Sequence, residues 1–261
     1  MGAKARVMLN RALGALAAAA GVVAVAWAPI PWWTKAIIYA VAAVVAVWVA
    51  FQRVPAFDPL GRIRWRLRGG GEKRCALTFD DGPTADTARV LDILKREGVP
   101  ATFFVLAENV RRHPDLVRRA HAEGHAVGIH GMSHRKLTGA GEDEVAREVG
   151  GVPALLADLG VTAAPVYRTP HGHKSSAVFS VARKLGLTVW AWSRGVWDTD
   201  RPAPEVIARR STRFARDGMV LLLHDGRGDE PEPDVRPMVA ALPDIIAGLK
   251  KKRFAFVRLD S

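Results

Sequence analysis

Apolar residues run without a charge from Ala12 to Trp33 and again from Ala36 to Gln52, with Lys35 alone between the runs. The first run is long enough to cross a bilayer, and the second lies near the lower limit of roughly 17 residues. Trp27, Trp32, Trp33 and Trp48 fall near the run ends, where amphipathic rings favour the headgroup level. Pro29 and Pro31 with Thr34 and Lys35 predict a tight turn. Residues 1–52 are therefore expected to form a membrane hairpin of two transmembrane helices. A single anchor or a re-entrant segment would also suit the pattern. The further competing reading is a cleaved signal peptide, with Lys4, Arg6 and Arg11 as its basic region and Ala26-Trp27-Ala28 as its cleavage site. Pro29 directly after the cut, and a second apolar run at once, count against it.

Past Gly69-Gly70-Gly71 the pattern changes to short apolar runs alternating with helical periods. Strands are predicted over Cys75 to Phe79, Ala101 to Leu106, His125 to Ile129, Pro165 to Arg168, Leu187 to Trp192, Met219 to Leu223 and Phe254 to Val257. Helices are predicted over Asp86 to Glu97, Pro114 to Glu123, Gly141 to Leu159, Pro204 to Phe214 and Val235 to Lys250. Ala88, Val90, Leu91 and Leu94 give the first of these its apolar face. Gly150, Gly151 and Pro153 are expected to divide the helix that begins at Gly141. Strands with helical crossovers favour an α/β barrel or open sheet, folds that gather chemistry at strand C-termini.

Charge refines this division. The net charge is +12, and most of the excess lies before residue 71. Arg53, Arg62, Arg64, Arg66 and Arg68 follow the apolar runs, in a stretch expected to be a basic linker over 53–70. Arg64 and Arg66 alternate with Ile63, Trp65 and Leu67, as in a short strand or an interfacial segment. Such a stretch suits anionic headgroups; no nucleic-acid motif accompanies it, and no protein partner is required by the sequence. Positive residues on both sides of the runs would place both ends in the cytoplasm. Cys75 is the only cysteine, so no internal disulfide is possible, and at a strand start it reads as a small buried hydrophobe.

The chemistry concentrates at strand ends. Thr78-Phe79-Asp80-Asp81-Gly82-Pro83 places two carboxylates where a strand gives way to a turn, and a metal ion would relieve their repulsion. His130 and His134, four apart, with Asp81 as oxygen ligand, make a His₂-Asp set that leaves a coordination position for water, as expected of catalytic zinc. Asp80 can then take a proton from water, and Arg168 can hold Asp80 ionised. His224, after a buried run, can protonate a leaving amine, with Asp198 orienting it and raising its proton affinity. Asp225 should point the other way and reads as structural.

These residues carry a resemblance. The chain resembles the polysaccharide deacetylases, the chitooligosaccharide deacetylase-like domain of carbohydrate esterase family 4, over about residues 71–261. Thr78 to Pro83 is similar to its first motif and His130-Gly131-Met132-Ser133-His134 to its second. Arg168-Thr169-Pro170-His171-Gly172 is similar to the third, Trp192 to Thr199 to the fourth, and Leu221 to Asp225 to the fifth. The resemblance implies a distorted (β/α)₇ barrel with Asp80 as general base, Asp81, His130 and His134 as metal ligands, and His224 as general acid. It further implies that Arg168 holds Asp80, that Asp198 partners His224, that Leu222 lines an acetyl groove, and that the His171 N–H faces the oxyanion. Two positions depart from the pattern. His171 stands where an aromatic ring is usual, and in the fourth motif Gly195 and Thr199 replace an Asp and a Trp, leaving Trp192, Trp197 and the stem of Arg194 as substitute groove walls.

The expected protein is thus a membrane-attached, zinc-dependent hydrolase that removes an N-acyl group from an amino sugar in a polysaccharide or a lipid-linked glycan. A hydrolase of a non-sugar amide or ester, and a silent glycan-binding membrane protein, are the alternatives. Charge points the catalytic domain to the cytoplasmic face, whereas family habit points it outside.

Overall fold

The computed structural model describes residues 20–21, 24–54, 58, 60–69, 71–228, 230 and 233–261. The chain divides into two compact units, residues 1–53 and 54–261. In the first, a bend at Ala28–Ile30 precedes α1 (Trp32–Arg53), and Lys35 Nζ donates to the Ala26 carbonyl at 2.8 Å.

The expected hairpin over 1–52 is not borne out. Lys4, Arg6, Arg11 and much of the first apolar run lie outside the described residues, and among the described residues no helix is long and apolar enough to cross a membrane. The physical reason in α1 is length. Its uncharged apolar stretch runs only from Ala36 to Phe51, about 24 Å at roughly 1.5 Å per residue, against a hydrocarbon core of about 30 Å.

Among the described residues the second unit is built on nine strands: β1 (Ile63–Arg64), β2 (Arg74–Asp80), β3 (Thr102–Leu106), β4 (Ala126–Gly131), β5 (Val166–Tyr167), β6 (Thr188–Trp190), β7 (Arg194–Gly195), β8 (Met219–His224) and β9 (Ala255–Phe256). They pair in the order β1-β6-β5-β4-β3-β2-β8-β7, with β9 also on β2, and every ladder is parallel. Among the described residues no ladder joins β1 to β7, so the sheet is a curled half-barrel. Its two ends are brought near each other by the segment after β1, which reaches β8 through an Arg66–Met219 bridge and a Leu67 N–H to Gly218 carbonyl bond of 2.9 Å. Of the stretch expected as a linker over 53–70, the described residues from Val54 onward fall in the second unit, where Ile63, Arg64 and Arg66 pair with the sheet.

Helices cover the outer face: α2 (Thr87–Glu97), α3 (Ala107–Arg112), α4 (Pro114–Ala122), α5 (Glu142–Asp158), α6 (Ser176–Lys184), α7 (Pro204–Thr212) and α8 (Arg236–Lys251). The predicted division of α5 does not occur. Val145, Val149, Val152 and Leu156 are buried along one face of a continuous helix, so burial overrides Pro153. The break-prone residues instead meet the end of β4, where Gly151 abuts the Met132 thioether and the Glu148 carbonyl accepts the Met132 N–H at 2.8 Å. α6 is absent from the sequence reading, although Ser175 caps it by accepting the Val178 N–H at 3.2 Å and Ala177, Val178, Val181 and Ala182 form its buried face.

Strand alternation divides the core. Leu77, Phe79, Ile129, Tyr167, Leu221 and Leu223 belong to the large cluster under the helices. Ala76, Phe104, Ala126, Val166, Trp190 and Val220 fill the inside of the curl, where alanines make room for the two large rings. Counting in twos from these inner residues leads to Thr78 and Asp80 on β2, His130 on β4, Arg168 after β5, and Leu222 and His224 on β8. The inner face is apolar at the amino-terminal ends of the strands and polar at the carboxy-terminal ends.

Candidate active site

Asp80, Asp81, His130, His134, His171, Trp192, Leu222 and His224 line one cavity of about 360 Å³ at the carboxy-terminal ends of the strands. Arg168 and Asp198 stand behind it, each buried against one of the lining residues. Trp197 is not part of the wall. It is 67% exposed, with the Arg210 guanidinium 5.9 Å from its ring, because the backbone turns into the left-handed region there at φ 55°. The Arg194 stem is also elsewhere, its Nε donating to the Arg210 carbonyl at 2.7 Å.

The turn after β2 separates the paired carboxylates. Asp80 completes the inner row of β2, while Asp81 has φ 73° and leads into a cis Gly82–Pro83 bond. Asp81 is thereby aimed across the end of β4. Its Oδ1 lies 3.1 Å from His130 Nε2 and 3.2 Å from His134 Nε2, and its Oδ2 accepts the Gly228 N–H at 2.8 Å. Burial works against the charge on Asp81, but the close approach of His130 and the fields of the neighbouring imidazoles outweigh it and hold the carboxyl well below its usual range.

These three residues fit a divalent cation. Asp81 Oδ1 is buried with no hydrogen-bond donor, and the three candidate ligand atoms lie within 4.8 Å of one another. His130 Nδ1 contacts the Arg168 carbonyl at 2.8 Å; a carbonyl can only accept, so the proton sits on Nδ1 and Nε2 carries the lone pair. Burial pushes His134 down to about 4, which keeps it neutral and able to ligate. For His130 burial is opposed by Asp80 and Asp81, whose field raises its proton affinity. The field that attracts a proton there attracts a metal ion equally well.

Two buried pairs flank this cluster. Arg168 Nη1 donates to Asp80 Oδ1 and to Thr78 Oγ1, both at 2.7 Å, and its Nη2 donates to the Ala191 carbonyl at 3.0 Å. The guanidinium carbon sits 4.2 Å from the Phe104 ring centroid. On the other side, Asp198 receives the His224 backbone N–H at 2.8 Å and His224 Nδ1 at 3.0 Å. Burial alone would lower His224, but the Asp198 charge and hydrogen bond lead the effects that push it up to about 10. Asp225 lies outside the cavity, as its place on the strand predicts. Its Oδ2 accepts from Thr87 Oγ1 and its carbonyl from Thr84 Oγ1, both at 2.6 Å, which ties the Asp81 turn to α2.

Thr199, the position where the fourth motif departs from the family pattern, lines the cavity as well; so do Thr169, Gly172, Arg227, Gly228 and Glu230, which the sequence did not single out as site residues. Thr169 and Gly172 adjoin residues that were named. Arg227, Gly228 and Glu230 lie on the loop after β8, whose return to the site has no signature in strand or helix period.

Comparison with known proteins agrees with this geometry. Residues 68–190 match the polysaccharide deacetylase family profile. The chain is 32% identical over 206 residues to a peptidoglycan-N-acetylglucosamine deacetylase of Bacillus cereus, covering 78% of this chain and 93% of that protein. It is 38% identical over 159 residues to a chitooligosaccharide deacetylase of Rhizobium leguminosarum bv. trifolii, covering 60% and 74%. A crystal structure of a peptidoglycan N-acetylglucosamine deacetylase in complex with a naphthyl-substituted N-hydroxybenzamide superposes with a TM-score of 0.72 at 30% identity, over 78% of this chain and 95% of that one. The fold and site together are those of an α/β protein built as a parallel half-barrel, with a carboxylate–imidazole cluster at its carboxy-terminal rim. The chain belongs to the polysaccharide deacetylase family, and it is a carbon–nitrogen hydrolase acting on amides.

Proposed function

We propose that this protein removes the N-acetyl group from an amino sugar within a glycan, using a zinc ion held by Asp81, His130 and His134. The observation that carries the reading is that Asp80 and His224, each with its own buried partner, line the same cavity as the three ligands. A cation at that position would polarise an amide carbonyl and acidify a water. Asp80, held by the hydrogen bond from Arg168, takes the proton from the attacking water. The His171 N–H donates to the oxyanion that develops on the carbonyl oxygen. Leu222 packs against the acetyl methyl group. His224, protonated through Asp198, then gives its proton to the amine nitrogen as the carbon–nitrogen bond breaks. Proton transfers of this kind each contribute about 10²–10⁴ in rate.

The relatives named above as peptidoglycan and chitooligosaccharide deacetylases support N-acetylglucosamine as the sugar. Thr199 at the cavity wall, where the family pattern has a Trp, leaves that side less apolar. The deciding experiment measures acetate release from chitooligosaccharides and from peptidoglycan fragments by the full chain in detergent. Turnover abolished by a chelator, restored by zinc and lost in Asp80→Asn is the expected result. Turnover indifferent to the chelator would refute the metal-dependent reading.

Attachment of residues 1–53 to a membrane is also part of the proposal. Trp32, Trp33, Ile37, Val41 and Val44 of α1 are 54–79% exposed, an apolar surface that lipid would cover. Resistance of the full chain to alkaline extraction from membranes is expected, and complete release would count against attachment.

A further inference from the structure

The arginines after α1 have no part in the deacetylase site. Arg62, Arg64, Arg66 and Arg68 alternate with Ile63, Trp65 and Leu67, and all four arginines are exposed. Pairing fixes them in place: Ile63 and Arg64 sit on β6, and Arg66 bridges Met219. A flexible basic tail would be a solvated charge run. Here the backbone is part of the sheet, and the charges form a fixed array.

A second cavity, of about 280 Å³, opens beside this array. Arg64, Arg66, Arg68 and Arg74 line it, and no acidic side chain does. Arg74 Nε is buried without an acceptor, while its Nη2 donates to the Arg68 carbonyl. Asp217 is the neighbouring acid: its carboxylate accepts the Arg74 backbone N–H at 2.9 Å, and it lines a different cavity that Arg66 shares. Four arginines line the hollow; Arg66 Nε donates to the Asp217 carbonyl at 2.9 Å, whereas Arg74 keeps an unmet N–H, and an excess of guanidinium charge of this kind suits a phosphate oxyanion. Trp65, 42% exposed in the same segment, adds an aromatic ring of the kind that settles at a headgroup boundary.

The position of this cavity gives it a consequence for function. Arg74 is the first residue of β2, and Leu259, also in the lining, donates its N–H to Thr102 Oγ1 at the start of β3. The cavity therefore lies at the amino-terminal ends of the strands. Asp80 closes the same strand at the other end, about 20 Å away at roughly 3.3 Å per residue.

We propose that the Arg64–Arg66–Arg68–Arg74 face docks the folded unit onto anionic lipid, with a headgroup phosphate in the cavity, so that the deacetylase site points away from the bilayer. Resting on the deacetylase reading, this deepens it: the substrate is then a glycan polymer reached through solvent, rather than a sugar at the lipid surface.

The test compares the full chain with its Arg64→Gln/Arg66→Gln/Arg68→Gln variant on phosphatidylcholine vesicles with and without phosphatidylglycerol. Because α1 is unchanged, the ratio of partitioning onto the two vesicle types reads the arginines alone. At about 1 kcal/mol per arginine near a charged surface, that ratio should fall on the order of a hundredfold. An unchanged ratio overturns the proposal. Loss of the wild-type preference on adding inorganic phosphate, but not sodium chloride of equal ionic strength, supports a headgroup phosphate in the cavity, whereas equal loss in both salts overturns the cavity assignment. Hydrogen exchange on the vesicles should protect residues 62–68 and leave 224–228 exchanging as in solution; the opposite pattern overturns the orientation. Acetate release from a soluble chitooligosaccharide should be the same in both proteins, so failure of the docking proposal and failure of the deacetylase reading appear in different measurements.

Discussion

Arg168 Nη1 lies 2.7 Å from Asp80 Oδ1, and both side chains are almost wholly buried, at 1% and 5% exposure. Burying one carboxylate beside another is costly unless a counter-charge is at hand. The guanidinium supplies the counter-charge from the side opposite the substrate cavity, and Thr78 Oγ1 and the Ala191 carbonyl hold it there. Asp80 is left with one oxygen committed to Arg168 and the cavity in front of it. Fold and chemistry are joined at this pair, because the alternation that packs Ala76 and Val166 inside the curl also brings Asp80 and Arg168 together.

Arg168→Gln should therefore harm stability and turnover together. Removing one partner of a buried ion pair costs about 3–5 kcal/mol, read as a lower midpoint in denaturant. Adding Asp80→Asn should recover much of that stability, since no uncompensated charge remains, while turnover stays lost. If the double variant is as unstable as the sum of the single changes, the pair does not behave as a coupled unit.

For His224 the expected signature is in the pH profile. As the proposed acid it must be protonated, and Asp198 helps to hold it up to about 10, so turnover should persist into mildly alkaline solution. Asp198→Asn removes the leading raising influence and should move the alkaline limb of kcat toward neutral pH. The sign for stability follows from a folded-state value above the ordinary 6.5. The contribution is fully present below about 6.5 and is lost as pH rises through about 10. Comparing thermal midpoints of the two proteins at pH 6 and pH 10 checks it: the gap should be wide at the lower pH and narrow at the higher.

Much of this site was legible because it obeys a period of two. Asp80, His130, Arg168, Leu222 and His224 all follow apolar strand residues, and alternation places each of them inward. Asp81 was legible for a different reason: the Gly82-Pro83 turn signalled that the strand ended there. Trp197 was misplaced because its orientation depends on a left-handed backbone residue, which no apolar pattern encodes. The continuity of α5 through Pro153 reflects burial against the sheet, a tertiary effect that local propensity cannot show. β1 was half legible: Arg64 and Arg66 alternating with Ile63, Trp65 and Leu67 read as a short strand or an interfacial segment, and only pairing with β6 decides between the two.

Metal binding should be readable without turnover. Zinc added to chelator-treated protein should raise the thermal midpoint, since a ligand at a hundred times its Kd stabilises by about 2.7 kcal/mol. Asp81→Asn and His134→Ala should each abolish the shift while the protein still unfolds cooperatively. A zinc-dependent shift that persists in both variants would place the ion elsewhere.

Gly228 offers the sharpest test of how the ligand cluster is held. Its N–H donates to Asp81 Oδ2 at 2.8 Å, its φ is 46°, and a Cβ placed there would run into the His134 imidazole. Gly228→Ala must therefore shift the loop, the imidazole or both. Overpacking of this kind costs about 1–3 kcal/mol, and groups that hold a metal ligand in place typically change metal affinity about 10–100-fold when disturbed. Zinc affinity measured by competition with a chromophoric chelator should weaken by at least about tenfold, and kcat should fall with it. The thermal midpoint in excess chelator separates the two effects, because a loss confined to the metal-free protein would be structural alone. Unaltered zinc affinity in the alanine variant would mean that His134 reaches the ion from a position the loop does not control.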